Sequence, residues 1–361
     1  MVRSQPLFKP LHEGIFSEVL LDEYAISFFM EIGTLEPDLN IALEGFATEE
    51  DANCLGNNTL LAAKVLAEHH ELDISKLKKV VITYDFASAL QKVTSEYNHR
   101  SPSSFTNSKQ STAIGQLVSK MGSDGLCIEY TLVLSVNFFV EWFNEDGTVA
   151  VDKDRLPPVL HRLHHELVHV HEKNTLTCLD QSLRVNAYDE ALLLSATRSW
   201  SEYLANFMSS PTAPKETIDC FLENFQTVLN EVPSEIDSFV WNYMNRKISL
   251  DAMFFEVKKR VKLIVNSYAY AIGYVHAINI NLQEYLPNLA NTISNSKLKH
   301  SLADLSNALE SLTERYENDK LDDYEDFSDV SAAIYSIFKV FGLTLEHTDG
   351  ANGSDLYIHV Y

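Results

Sequence analysis

The chain has 361 residues, 45% hydrophobic and 22% charged, an ordinary globular composition with enough length to bury a substantial core. Its 28 Lys plus Arg stand against 51 Asp plus Glu, a net charge of −23. No basic cluster interrupts that acidity, which argues against nucleic acid or anionic lipid as a partner. No charge-free apolar run reaches the about 18 residues of a membrane span, and the opening MVRSQPLFKPLHEG lacks a signal peptide's apolar core. The four cysteines form no C-x-x-C, so reduced thiols and a cytoplasmic location are expected.

In chain order, apolar positions at three- and four-residue spacing predict helices over 15–32 and 57–72. KKVVITYDF (78–86) is short and β-branched and predicts a strand, followed by the helical ASALQKVTSEY. Residues 98–112, rich in Ser, Asn and Pro, predict a loop, a candidate lid. LCIEYTLVLSVNFFVEWF (126–143) predicts one or two strands closed by a turn at 144–147. A helix then spans 156–173, with Pro157 and Pro158 in its first turn and Asp154 as its cap. The pattern over 174–186 is ambiguous, 187–209 is helical up to SSPTAP, and almost all of 216–316 is helical. DKLDDYEDFSD (319–329) reads as an acidic linker, 330–341 as a helix and 354–361 as a terminal strand. The expected fold is α+β, mostly helical with a small sheet near the middle. The expected division is an N-terminal helical region (1–74), a core (75–212) and a helical C-terminal region ending in a strand (213–361).

Five of the 13 histidines lie in HRLHHELVHVH (161–171). On a helix, Leu160, Leu163, Leu167 and Val170 make a core-facing stripe, and His161, His165 and His169 stack beside it. His165-Glu166-Leu167-Val168-His169 is an H-E-x-x-H. Side chains four apart on a helix lie about 5–6 Å from one another. Two imidazoles so placed can reach one Zn²⁺ at about 2.0–2.1 Å, and the Glu, displaced around the helix, can face a metal-bound water. A catalytic zinc needs a third protein ligand and an open position. Glu202, in the predicted helix carrying RSWSEYLANFMSS, is the leading candidate; Asp180, Asp189, Glu190 and His171 are rivals. Asn206, one turn after Glu202, is placed to hydrogen-bond a liganding side chain. His276, Tyr268, Tyr270 and Tyr274, in the apolar helix near 263–280, are candidate donors to a developing oxyanion.

HELVH followed by Glu202, Ala205, Asn206 and Phe207 resembles the gluzincin metallopeptidases, most closely the ImmA/IrrE-like branch. The resemblance covers about residues 78–212. It implies a zincin-like core, zinc held by His165, His169 and Glu202, and Glu166 as the catalytic base in hydrolysis of a peptide or protein substrate. The chain departs from that branch in lacking a helix-turn-helix partner domain and in its about 150 further helical residues, so substrate class does not carry over. The alternative is a non-catalytic, zinc-stabilised interaction or regulatory protein whose fourth ligand closes the site. No P-loop, dinucleotide fingerprint or G-x-S-x-G occurs.

Overall fold

The computed structural model describes residues 39–97, 114–176, 186–348 and 356–361. The expected helix at 15–32, the candidate lid at 98–112 and Asp180 lie outside these residues, as does most of 174–186. The architecture is α+β: a four-stranded sheet, a helical majority and a terminal hairpin.

Strand β1 (Asn40–Glu44), helix α1 (Glu49–His69) and strand β2 (Leu77–Thr83) form a parallel crossover unit. Helix α2 (Phe86–Glu96) follows, then β3 (Gly115–Met121) and β4 (Cys127–Ser135). The sheet order is β1-β2-β4-β3, with β4 parallel to β2 and β3 antiparallel at the edge. Side-chain alternation sorts the two faces. Val81, Val118 and Val133 pack with Ala89, Leu90 and Val93 of α2, while Val80, Ile82, Leu132 and Leu134 join the main core. Because β1 pairs with β2, the sheet draws on both sides of the expected division at residue 74.

Helix α1 starts eight residues before the predicted 57. Thr48 caps it by accepting from the Asp51 amide, and the Asp51 carboxylate accepts the Val149 amide, fastening a distant loop to this end. The predicted second strand within 126–143 is absent. After Ser135 the chain turns into a 3₁₀ segment, Val136–Trp142, that buries Phe138, Phe139 and Trp142. Aromatic composition suggests strand, but the burial of Phe139 and Trp142 three residues apart and the Ser135 hydroxyl, which accepts from the Asn137 amide, favour the tighter helix.

The histidine helix, α3, spans Leu156–Thr175. Its cap differs from the expectation. Asp152, not Asp154, accepts the Asp154 and Arg155 amides in a short 3₁₀ turn that runs into the helix. The stripe Leu160, Leu163, Leu167 and Val170 is buried as predicted. Then come α4 (Ala187–Ala191), α5 (Leu193–Ser209), α6 (Lys215–Met244), α7 (Leu250–Ala277), α8 (Leu282–Tyr285), α9 (Pro287–Asn295), α10 (Lys299–Glu317) and α11 (Ser328–Val340). Strands β5 (Leu343–His347) and β6 (Leu356–Val360) form an antiparallel pair. The expected acidic linker at 319–329 is structured. Asp326 accepts the Asp322 and Asp323 amides and pairs with Arg315, and Phe327 is fully buried. Its carboxylates therefore act as caps as well as solvated charge. Among the described residues, no helix is long and apolar enough to cross a membrane.

Candidate metal centre

Three elements build the site: α3 supplies His165, Glu166 and His169, α5 supplies Glu202 and Asn206, and α7 supplies Tyr270. Helix α5 packs between α3 and α7. Its contact with α7 is unusually close, because Gly273 lies against it. A Cβ at position 273 would stand 2.7 Å from the Tyr203 carbonyl oxygen and 3.1 Å from Asn206 Cβ.

His165 Nε2 and His169 Nε2 are 3.2 Å apart, and Glu202 Oε2 lies 3.5 Å from the first and 3.2 Å from the second. The three side chains form the one metal-competent cluster of His, Cys, Asp and Glu found among the described residues. The hydrogen bonds around them decide what these atoms are. Asn206 Nδ2 donates to the Tyr270 carbonyl at 2.9 Å, so Asn206 Oδ1 accepts from His165 Nδ1, 2.7 Å away. Ser201 donates its hydroxyl to Glu172, so its oxygen accepts from His169 Nδ1 at 3.0 Å. In the neutral ring, each histidine therefore carries its proton on Nδ1 and turns the Nε2 lone pair inward. Two lone pairs and a carboxylate oxygen face one another, and Glu202 Oε2 is buried without a hydrogen-bond partner. With both rings neutral, three acceptors face one another with no donor between them, so the cluster demands positive charge, either a proton on His169 or a cation among the three. The donor set, two imidazoles and one carboxylate, suits zinc.

Electrostatics agree with that demand for positive charge. Burial disfavours the His169 imidazolium, but Glu202 and Glu172 outweigh it and lift the group to about 10. Burial pushes Glu202 up, and the two histidines reverse this and hold it well below the usual carboxylate range. Glu166 behaves differently. Burial raises its pKa, His165 and His169 offset part of the rise, and Glu202 adds to it. Its carboxyl lies against edge strand β3, where a Cβ at Gly115 would approach Glu166 Oε1 to 2.9 Å. The Tyr270 ring stacks on His165 with centroids 6.0 Å apart, and burial together with Glu202 holds its phenol well above the usual range.

The cluster thus joins His165, Glu166, His169, Glu202, Asn206 and Tyr270. It does not include His276, whose ring nitrogens bond Tyr203 (2.7 Å) and Ser306 (3.1 Å), on the side of α7 that meets α10. A six-residue offset along α7 carries His276 around the helix from Tyr270. Of the rival third ligands, the three within the described residues are elsewhere: His171 accepts the Asp73 amide, Glu190 pairs with Lys258, and Asp189 is in the first turn of α4. Tyr268 is buried against Phe225, and Tyr274 bonds His161.

Three contributors escaped the sequence reading. Glu172 and Ser201 hold His169, and Gly115 makes room for Glu166. Glu172 had a usable signal, its i, i+3 spacing from His169. Ser201 and Gly115 had none, because their roles depend on which elements pack together.

Comparison of the chain with protein-family models, curated proteins and solved structures finds no match.

Proposed function

We propose that this chain is a zinc-dependent metallopeptidase of the gluzincin type, with a zincin-like core. The observation that carries the reading is the inward convergence of His165 Nε2, His169 Nε2 and Glu202 Oε2, each aimed by an outer hydrogen bond or left without one. His165, His169 and Glu202 would hold the zinc. When bound, zinc supplies a Lewis acid that acidifies water and polarises a carbonyl. Glu166, with its pKa raised by burial, takes the proton of the attacking water and passes it to the departing amine. Tyr270, whose phenol burial keeps protonated, is the nearest candidate donor to the oxyanion. Among the described residues β3 is an edge strand, and an edge of this kind supports an extended peptide as substrate.

The non-catalytic alternative needs a fourth protein ligand. Among the described residues the cluster has three, and His171, one of the two candidates for a fourth, accepts the Asp73 amide instead; Asp180, the other, lies outside the described residues. The test pairs metal analysis with a peptide-library digest. Wild-type protein should retain about one zinc and cleave peptides. Glu166→Gln should keep the zinc and lose about 10²–10⁴-fold in rate. Equal rates for the two proteins would refute the role of Glu166, and absence of zinc from both would refute the site.

A further inference from the structure

Helix α7 runs alongside α4 and α5 in a register set by two contacts. At one end Lys258 Nζ bonds Glu190 Oε1 at 2.9 Å, and at the other Asn206 Nδ2 bonds the Tyr270 carbonyl at 2.9 Å. Between these contacts the site-facing positions advance in steps of four. Arg198 precedes Glu202 on α5, and Lys262 and Asn266 precede Tyr270 on α7. Arg198 and Lys262 are therefore brought near one another, close enough for their charges to interact, about one turn along α5 from Glu202 and two turns along α7 from Tyr270.

This is an unexpected place for two cations. The chain carries a charge of −23, yet among the described residues neither Arg198 nor Lys262 makes an ion pair or a hydrogen bond. Lys262 is half-buried, and Arg198 is exposed. Burial, with Arg198 and Lys258 as cationic neighbours, holds the Lys262 ammonium below the usual lysine range, and Glu190, already bonded to Lys258, offsets only part of this. Arg198 is also close enough for its charge to act on the Tyr270 phenol. A half-buried ammonium beside a guanidinium is costly unless an anion joins them.

We infer that Arg198 and Lys262 form a subsite, adjoining the metal ligands, that takes a carboxylate of the substrate. The carboxylate is a free C-terminus or an acidic side chain, which Arg198 can hold with paired N–H donors and Lys262 with a point charge. The inference rests on the metallopeptidase reading above and names the substrate class for that site: peptides bearing an anionic group on one side of the scissile bond.

The test uses zinc-loaded protein and small hydroxamates, which chelate zinc through one end. The monohydroxamates of succinate, adipate and suberate carry a carboxylate at the other end, and their ω-amides are neutral controls. At one chain length the acid should bind about tenfold more tightly than its amide, and the difference should shrink in high salt. Arg198→Ala and Lys262→Gln should abolish the difference while retaining wild-type zinc content and wild-type affinity for the amide. Arg198→Lys should restore part of it. Equal affinity of acid and amide at every length, with zinc bound, would overturn the subsite and leave the metal centre standing. Failure to retain zinc or bind any hydroxamate would overturn the metal centre, and this inference with it. Peptide pairs differing only in free acid against amide terminus, or Glu against Gln, then distinguish the two sources. Indifference to both changes would also overturn the subsite.

Discussion

Helix α3 carries two sets of histidines in opposite environments. His165 and His169 face α5, bond outward through Nδ1 and leave Nε2 free to bind a cation. His161 and His164 face the turn after α5. Both Nδ1 atoms lie on the Thr212 hydroxyl, at 3.3 and 3.0 Å, and Thr212 itself donates to the Ser209 carbonyl. His161 Nε2 takes the Tyr274 hydroxyl at 2.5 Å, while the His164 ring stacks on His70 at 3.9 Å. His161, His165 and His169 share one i, i+4 row, so spacing does not separate them. Their neighbours do. Burial, with His165 and Arg162 nearby, pushes His161 down to about 3, whereas Glu202 and Glu172 overcome burial and lift His169 to about 10. Hydroxyls around a buried imidazole make it a neutral core group, whereas carboxylates around it make a place suited to positive charge.

The largest effect that tests this contrast is on metal binding. His169→Ala or Glu202→Ala should weaken zinc by more than the about 100-fold typical of losing an outer hydrogen-bonding partner. His161→Phe should leave zinc affinity unchanged and cost about 1–3 kcal/mol of stability, because Tyr274 and Thr212 lose a buried partner. Competition with a chelator and thermal unfolding read the two quantities separately. If His161→Phe loses zinc, the division of the helix into two sets is wrong.

A smaller effect is expected one layer out. Ser201→Ala removes the oxygen that accepts from His169 and leaves Glu172 without its hydroxyl donor. Zinc affinity should fall about 10–100-fold, with less change in stability than His161→Phe. Unchanged affinity would reduce the Ser201–Glu172 link to ordinary packing.

The smallest and most specific test is the pH dependence of stability after chelation. His161 has a folded pKa below its unfolded value, so the unfolded chain binds the extra proton, and stability falls as pH drops from about 6.5 towards 3. His169 is the reverse. Its contribution is complete below about pH 6.5 and fades as pH rises through about 10. In urea unfolding, His161→Phe should flatten the acid limb alone, whereas His169→Ala should flatten the alkaline limb and, because His169 helps to hold Glu202 low, part of the acid limb as well. A changed alkaline limb in His161→Phe, or an unchanged one in His169→Ala, would contradict the assigned environments.

Much of this was legible in the chain. The stripe of Leu160, Leu163, Leu167 and Val170 fixed the inward face of α3, and H-E-x-x-H with Glu202 and Asn206 indicated the groups that converge. The errors share a cause. Phe138, Phe139 and Trp142 resembled strand residues because composition reports burial better than it reports backbone geometry. The acidic 319–329 segment resembled a linker because capping carboxylates are indistinguishable from solvated ones until their amide partners are known. His276 and Tyr270 were equal candidates until the rotation of α7 separated them.

By itself the sequence determined what depends on neighbours within about two helical turns: the histidine helix, its buried stripe and the pairing of His165 with His169. Such features follow from the fixed rise and twist of a helix. Only the tertiary structure decided what depends on distant elements: the approach of Glu202, the hydroxyls and amide that set each imidazole's proton, and the nearness of Arg198 to Lys262. These follow from how α3, α5 and α7 pack, and that packing depends on Gly273 and a continuous apolar core, which no local spacing encodes.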